Sequence, residues 1–471
     1  MNRVVHFFKT AGIYFLGNVF TKLISFLLLP LYTSKIEPSA YGNYSLSITI
    51  LNIVVPIIFI CIWDSVFRFS FDFEKENEKY NVINDGFVIM LSGTVISLIF
   101  LLIIANIIQI NFLLLKYFYF LAMAYQYYYT FVTRSLKDNN LFILSGCLNS
   151  LISTSVSVIL ILKLNMGIES LYISYCIGVL FQIFIIEYKK NIYKHLFLRK
   201  IKKSRLIQYI KFSLPITISS LSNWLLNGLT QFFISYKLGT YYNGIYGISN
   251  KFSSILILGI GIFQFAWNEM AYELSREKDK KDYYQKSINI ILKISVATLS
   301  ILLILIKLLF PYLVDSQYNE SLTIIPILLT GTMANAYAGF LGTLFLSEKR
   351  SINLLITTFI AGFFNIIFLN IFVHFWGFIG AVLSLCTSFM LFATMRIILL
   401  KKKMDIVLSK TSFLPIPLLF LSIMIYYHIH NNIYLILFLV IIIFFGMFIM
   451  KLLFLEIIKY SKNILKKKKR L

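Results

Sequence analysis

The chain has 471 residues, of which 59% are hydrophobic and 14% charged, and its formal net charge is +24. A mean hydropathy of +0.81 excludes a soluble multidomain protein and predicts a polytopic membrane protein. The basic surplus could suggest nucleic-acid binding, but no nucleic-acid-reading module is recognisable in the sequence.

Apolar segments of about 20 residues are long enough to cross a bilayer as helices. The sequence therefore predicts an all-α fold of about 14 transmembrane helices. The predicted spans are residues 12–33, 41–63, 86–108, 113–133, 141–163, 169–187, 207–236, 244–267, 287–309, 321–346, 352–374, 376–399, 411–428 and 433–455.

Basic residues are distributed unevenly between the two sides of these spans. If the N-terminus is cytoplasmic and the span ends are taken as accurate to a few residues, 34 of the 44 Lys and Arg residues are assigned to inner segments and four to outer loops. Cytoplasmic loops carry the excess of Lys and Arg in membrane proteins. Both termini are therefore predicted to be cytoplasmic. The basic runs are expected to contact anionic membrane lipids rather than nucleic acid.

A basic stretch at 188–206 divides the first six spans from the others and is predicted to be a cytoplasmic linker. The expected domains are a six-helix lobe at 1–187, a second at 207–400, and two further helices with a basic tail at 401–471. An offset of 202 residues relates the first outer hairpin to a later one, pairing Lys35 with Lys237, Gly42 with Gly244, Tyr44 with Tyr246 and Ser47 with Ser249. Six spans per repeat require parallel repeats, with the substrate site between them.

The first span carries a lysine at its midpoint, where a cation is costly and usually marks a substrate path. Asn18, Lys22 and Ser25 share one helical face and are predicted to line a cavity. Near the inner end of span two, Asp64 and Arg68 are spaced for a local ion pair and are also candidates for a cytoplasmic gate or coupling site. Glu269 has the corresponding place in the second half.

Span seven carries a stripe of polar residues at spacings of three and four: Ser213, Thr217, Ser220, Trp224, Asn227 and Gln231. Such a face forms either helix-to-helix hydrogen bonds or the wall of a water-filled cavity. For Trp224, Asn227 and Gln231 the cavity is favoured, because amides and an indole ring suit sugars. Lys251 lies about 10 Å inside span eight and is a second cationic cavity candidate.

No metal site or cofactor is predicted. His428 and His430 are two residues apart and point to different sides of a helix. No glycine-rich phosphate loop precedes a helix, so nucleotide hydrolysis by this chain is not expected. Cys61, Cys147, Cys176 and Cys386 lie in apolar segments and are expected to be packing residues.

Several short motifs resemble those of the Wzx-type polysaccharide (O-antigen and capsule) flippases of the multidrug/oligosaccharidyl-lipid/polysaccharide exporter superfamily. They are Pro30-Leu31-Tyr32-Thr33, Tyr41-Gly42-Asn43-Tyr44, Arg68-Phe69, Ser213-Leu214-Pro215, Gly244-Ile245-Tyr246, Lys251 and Phe265-Ala266-Trp267. The resemblance implies transfer of a polyprenyl-diphosphate-linked oligosaccharide from the cytoplasmic to the outer leaflet. It also implies two six-helix lobes that open alternately around a cationic cavity.

Two other functions are weighed against this one. An exporter of cationic drugs would favour an acidic residue at mid-span, where this chain has lysine. A membrane polymerase or ligase, the enzymatic alternative, would need a convergent pocket, and the outer loops are short. A non-enzymatic flippase is therefore predicted. Its expected partners are the lipid-linked substrate and, in a polysaccharide pathway, the polymerase and chain-length machinery.

Overall fold

The computed structural model describes residue 24 and residues 26–107, 109–196, 202–274, 280–348 and 350–444. Within these ranges the protein is helical and contains no β-strand, as the sequence predicts. The predicted span 12–33 lies mostly outside the described residues, and so does the end of span 433–455. The predicted count of 14 spans is therefore not confirmed in full.

The described helices follow the predicted spans closely, apart from breaks considered below. In chain order they are α1 (Leu29–Lys35), α2 (Pro38–Phe59), α3 (Ile62–Ser70), α4 (Glu76–Ile107), α5 (Leu113–Ser135), α6 (Asn139–Leu162), α7 (Glu169–Lys190), α8 (Lys203–Asn227), α9 (Leu229–Leu238), α10 (Thr240–Leu274), α11 (Lys280–Leu313), α12 (Ser321–Ser347), α13 (Ser351–Met404), α14 (Ile416–His428) and α15 (Asn432–Phe444).

Eight described segments are long and apolar enough to cross a membrane: α2, α4, α6, α7, α11, α12, α13 and Lys410–His428. The predicted spans in α5, in α8 with α9, and in α10 are not among these eight segments of the described chain. These helices contain the tyrosines of α5, the polar stripe of span seven, and Lys251. A helix that faces protein or a cavity needs less apolar surface than one that faces lipid.

Two predicted spans form one continuous element in α13, which has 54 residues. A straight helix of that length would extend about 80 Å, far more than a bilayer. Gly377 breaks it with a φ of 52°, a left-handed conformation that glycine adopts without strain. The break lies at the second residue of the predicted span 376–399, next to its boundary with span 352–374, so α13 is a helical hairpin.

Span two is also interrupted, between α2 and α3. Ile60 and Cys61 have φ values of 51° and 43°, which are left-handed and strained for side chains with a β-carbon. The N–H of Ile60 donates to the carbonyl of Pro56, which ends α2, and α3 starts again at Ile62. The interruption separates the apolar part of span two from the segment that contains Asp64 and Arg68.

Close packing divides the chain into two units, Met1–Gly247 and Ile248–Leu471. The first has a core rich in aromatic side chains, and its largest fully buried residues include Tyr128, Tyr172 and Phe59. In the second unit α14 and α15 pack on α11 around Ile304, Leu435 and Ile442. Helices α8 and α9 pack within the first unit, while the predicted lobe boundary at 188–206 stays a prediction.

Candidate functional site

The first outer hairpin packs backbone to backbone against the start of α10. A β-carbon on Gly42 would overlap the carbonyl oxygen of Thr240 and lie 2.7 Å from the amide nitrogen of Gly244. A β-carbon on Gly244 would overlap the carbonyl oxygen of Pro38 and lie 2.7 Å from its carbonyl carbon. Asn243 Nδ2 donates to Gly42 O over 2.7 Å. Only glycine permits this approach at both positions.

The two contacts are equivalent to each other when residues are related by the 202-residue repeat of the sequence. Adding 202 to 38 and 42 gives 240 and 244, and the structure places Gly42 on Thr240 and Gly244 on Pro38. Such an exchange of equivalent partners is the signature of a local two-fold axis. The paired glycines therefore hold together two equivalent hairpins, at the end of the helices that is predicted to face outward.

Below this contact, α9 and the end of α8 are hydrogen-bonded to α2. Trp224 Nε1 donates to Thr49 O over 2.7 Å. Gln231 is buried, accepts from Thr49 Oγ1 over 2.6 Å, and donates to Ser45 Oγ. Two of the three groups predicted to face a cavity, the Trp224 indole and the Gln231 amide, are thus hydrogen-bonded to α2.

The remaining stripe residues divide between the two interpretations. The hydroxyls of Ser213 and Thr217 donate to carbonyls one turn earlier in α8, so they satisfy their own helix. Ser220 Oγ lies 3.9 Å from Cys61 Sγ, beside the break in span two. Asn227 is exposed on the surface of the first unit. Only a state in which α8 and α2 separate would expose the whole stripe, so its role as a sugar path stays a prediction.

The predicted ion pair between Asp64 and Arg68 is wrong. Arg68 does pair with a residue four positions away, but that residue is Asp72, at 2.7 Å between Nη1 and Oδ1. Both of these side chains are about half exposed, whereas Asp64 turns inward toward Trp63 and the charge of Arg134. Arg68 therefore pairs with Asp72, the carboxylate that lies on the same exposed side of the chain. The gate or coupling role of Asp64, Arg68 and Glu269 stays a prediction.

The environment of Asp64 is aromatic and partly desolvated. Trp63 stacks on Tyr127 with ring centroids 5.1 Å apart, and the Arg134 guanidinium lies 4.7 Å from the Phe67 ring centroid. Burial raises the pKa of Asp64 from 3.8 to about 6, although the charge of Arg134 and a hydrogen bond from Trp63 partly oppose the rise. The Asp64 carboxyl group therefore changes its protonation state near pH 6.

We expect the thermal stability of the protein to report this proton. A carboxyl whose pKa is raised on folding stabilises the protein fully below pH 3.8, and that contribution is lost as pH rises through about 6. Relative to wild type, Asp64→Asn should therefore gain about 1–2 °C in melting temperature between pH 4 and pH 7. Asp64→Glu, which keeps the acid, should follow wild type. If the difference in melting temperature between wild type and Asp64→Asn did not change with pH, this assignment would be contradicted.

Three of the predicted cavity residues, Asn18, Lys22 and Ser25, lie outside the described residues. Glu269 belongs to α10, and its side chain is not described. Lys251 is described: it is half-buried, and its amine has no hydrogen bond or ion pair with any residue in the described ranges. The role of Lys251 as a cationic cavity residue stays a prediction.

Sequence reasoning missed a buried ion pair that fastens α8 to α4. Arg205 Nε lies 2.8 Å from Asp85 Oδ2, and the Asp85 side chain is only 1% exposed. Nearby, the Tyr80 ring stacks on His195 at 3.9 Å between centroids, and its hydroxyl donates to Lys190 O over 3.1 Å. The ends of the basic stretch are therefore attached to the first unit. Spacing could not reveal the pair, because its members are 120 residues apart.

A second missed residue is Arg396, which the charge count assigned to an inner segment. It is 4% exposed inside the α13 hairpin. Its Nε donates to Thr357 Oγ1 over 3.2 Å and its Nη1 donates to Ala338 O, while the guanidinium lies 4.0 Å from the Phe392 ring centroid. Carbonyl, hydroxyl and ring surface thus replace a carboxylate as its partners.

Replacing Arg396 should weaken the second unit more than its position near a helix end suggests. Arg396→Ala removes a buried side chain and its hydrogen bonds, a loss of roughly 2–4 kcal/mol. The matched control is Lys402→Ala, an exposed cation in the same helix. Equal melting temperatures for Arg396→Ala and Lys402→Ala in detergent would show that the buried guanidinium stabilises nothing.

A two-fold contact between repeated hairpins and interrupted helices are features of all-helical membrane transporters. The chain belongs to the polysaccharide biosynthesis protein family, whose sequence model matches residues 7–267. This confirms the resemblance to the exporter superfamily. A comparison with curated proteins gives no match.

Solved structures share this fold at low sequence identity. The lipid II flippase MurJ in an inward closed conformation superposes with a TM-score of 0.69 and 15% identity over 97% of this chain and 100% of that chain. An inward-facing multidrug resistance MATE family transporter of the MOP superfamily gives 0.68 and 15% over 82% and 94%. An outward-facing MATE transporter gives 0.58 and 16% over 84% and 94%. These similarities establish the fold of a multi-pass membrane transporter or flippase.

Proposed function

We propose that this protein is a flippase that moves a polyprenyl-diphosphate-linked oligosaccharide repeat unit from the cytoplasmic to the outer leaflet of the bacterial plasma membrane. It does so by alternating access, with both termini in the cytoplasm, and it serves surface polysaccharide synthesis. The observation that supports this most is membership of the polysaccharide biosynthesis protein family together with a fold shared with a lipid II flippase.

The sign of the intramembrane charge supports an anionic substrate. Lys251 lies in α10 without a carboxylate partner among the described residues, and Lys22 occupies the middle of span one. An unpaired cation at bilayer depth is costly unless a ligand or water compensates it. A diphosphate does so directly, whereas a cationic drug would be repelled. The same lysines count against a drug exporter, although MATE transporters share the fold.

The hydrogen bonds between α2 and α8 with α9 suggest how such a site would open. Trp224 donates one hydrogen bond to the Thr49 carbonyl, and Gln231 makes one hydrogen bond each with the hydroxyls of Thr49 and Ser45. Hydrogen bonds of this kind within a membrane contribute about 0.6–2 kcal/mol each, so a few can be exchanged for contacts to sugar hydroxyls at small net cost. Separation of these helices would expose the stripe to the glycan.

A leaflet assay tests the proposed function in the cell. A deletion strain should accumulate lipid-linked repeat units that a glycan-specific reagent reaches only after the plasma membrane is permeabilised. A strain lacking a polymerase or ligase instead delivers single units to the outer face, where the reagent reaches them in intact spheroplasts. Outer-face units in the deletion strain at wild-type level would refute the proposal, and drug sensitivity with normal glycan export would favour the multidrug alternative.

A further inference from the structure

A cavity of about 300 Å³ lies within the second unit, between α10, α11 and α12. Its walls are aliphatic and aromatic, with Phe263 from α10, Ile294 from α11 and Phe340 from α12 among them. The hydroxyl-bearing residues in the lining are Ser295 and Thr298, both on α11. A cavity with this lining does not attract water, which needs two to four polar partners.

Two features of the lining describe this cavity further: one is the free space in front of a glycine, and the other is a serine hydroxyl without a hydrogen bond to the described residues. A β-carbon built on Gly259 would meet nothing within 4 Å, so the glycine faces the opening. Ser295 is 7% exposed, and its hydroxyl makes no hydrogen bond with the described parts of the chain. The hydroxyl of a buried serine usually returns to a carbonyl of its own helix, as Ser300 does to Val296 in the same α11.

Lys251, whose amine has no hydrogen bond or ion pair with the described residues, comes before this lining along α10. Lys251 precedes Ile255 by one helical turn, Ile255 precedes Gly259 by another, and Phe263 follows one turn later. At 1.5 Å per residue the row extends about 18 Å along α10. A cation followed by an apolar cavity is the complement of a molecule with an anionic head and a hydrocarbon chain.

We propose that this cavity is a chain subsite, in which part of the isoprenoid chain of a polyprenyl phosphate or diphosphate lies while Lys251 holds its anionic head. The inference rests on the proposed function, and it adds where the carrier lipid, rather than its sugars, is recognised. A phospholipid fits less well, because it would bring two chains rather than one to a cavity of about 300 Å³, the lower end of the range for ligand pockets.

Two glycines of α10 provide a test variant and a matched control. Gly259→Leu adds a branched side chain to the cavity wall at a position where a β-carbon meets nothing within 4 Å. Gly261→Leu is the matched control: it also meets nothing within 4 Å, lies two residues away in the same helix, and does not line the cavity. Leucine is a better helix former than glycine at both positions, so folding is not the difference between them.

The test is binding of sugar-free lipids to the purified full-length protein in nanodiscs. The probes are a long-chain polyprenyl diphosphate and dimethylallyl diphosphate, which has a single isoprene unit. Gly259→Leu should weaken binding of the long-chain probe about tenfold, and Gly261→Leu should leave it within about twofold of wild type. Lys251→Gln should weaken binding of both probes, because each has the same anionic head.

Three results would overturn the inference. The long-chain probe could bind Gly259→Leu as tightly as wild type, it could bind wild type no more tightly than dimethylallyl diphosphate, or a diacyl phosphatidate could displace it at equal concentration. Because no sugar and no transport enter this measurement, its outcome is independent of the leaflet assay. A normal leaflet distribution in the deletion strain would refute the flippase function and leave the lipid-binding pattern to be judged by itself.

Discussion

Gly42→Ala and Gly244→Ala should each reduce glycan export at least tenfold, with the protein still inserted in the membrane. The added β-carbon at either position overlaps a backbone carbonyl oxygen, of Thr240 or of Pro38. Backbone atoms cannot turn aside as a flexible side chain can, so the hairpins must separate. A transporter that alternates between two closed ends cannot complete its cycle if one end no longer closes.

The control for this prediction is Gly146→Ala in α6, whose β-carbon meets nothing within 4 Å. It should export normally, which would exclude a general effect of helix propensity. Export is measured by surface glycan in the complemented deletion strain, with membrane protein levels determined by immunoblot. Normal export by both Gly42→Ala and Gly244→Ala would show that the close contact is not needed for transport.

The second large effect is expected at Lys22. Its position in the middle of span one, beside Asn18 and Ser25, predicts that it contacts the diphosphate of the carrier from the N-terminal half. Lys22→Ala should abolish export although the protein still inserts, because an apolar residue suits a membrane helix. Lys22→Arg should keep partial activity, since the charge remains while the geometry of its donors changes.

Lys163→Ala, an exposed lysine of a predicted outer loop, is the matched loss of one charge. It should leave export unchanged. Full export by Lys22→Ala at normal expression would remove Lys22 from the substrate path. Loss of protein from the membrane would instead indicate a folding role, which Lys22→Arg should then rescue completely.

The helical membrane fold and the repeated outer hairpin could be predicted from the sequence, because each depends on patterns along one chain segment. Apolar length gives the spans, and the 202-residue offset between Gly42 and Gly244 gives the repeat. The structure shows in addition that each of these glycines packs against the hairpin of the other, which the sequence pattern does not predict.

What could not be predicted depends on which side chain faces which neighbour. The spacing of Trp224 and Gln231 shows that they share a face, but not that this face meets Thr49 in α2. Arg68 has carboxylates on both sides at the same spacing, and only packing decides that Asp64 turns inward and Asp72 becomes the partner.

Arg396 shows the same limit in the second unit. In the sequence it looks like the first of several inner-boundary cations, and the structure buries it against Ala338 and Thr357. The sequence contains no carboxylate partner that would have marked it. Gly342 of α12 leaves space for the Arg396 guanidinium because it has no β-carbon, and this role is visible only in the structure.

The central claim is that the chain itself transfers a lipid-linked oligosaccharide between leaflets, without nucleotide hydrolysis. The most direct measurement reconstitutes the purified protein in liposomes with the lipid-linked repeat unit and follows its exposure to a membrane-impermeant glycan reagent. The account predicts transfer that requires the protein, responds to an ion gradient or membrane potential, and needs no ATP. Transfer no faster than in protein-free liposomes under any gradient, or transfer that occurs only when ATP is added, would contradict it.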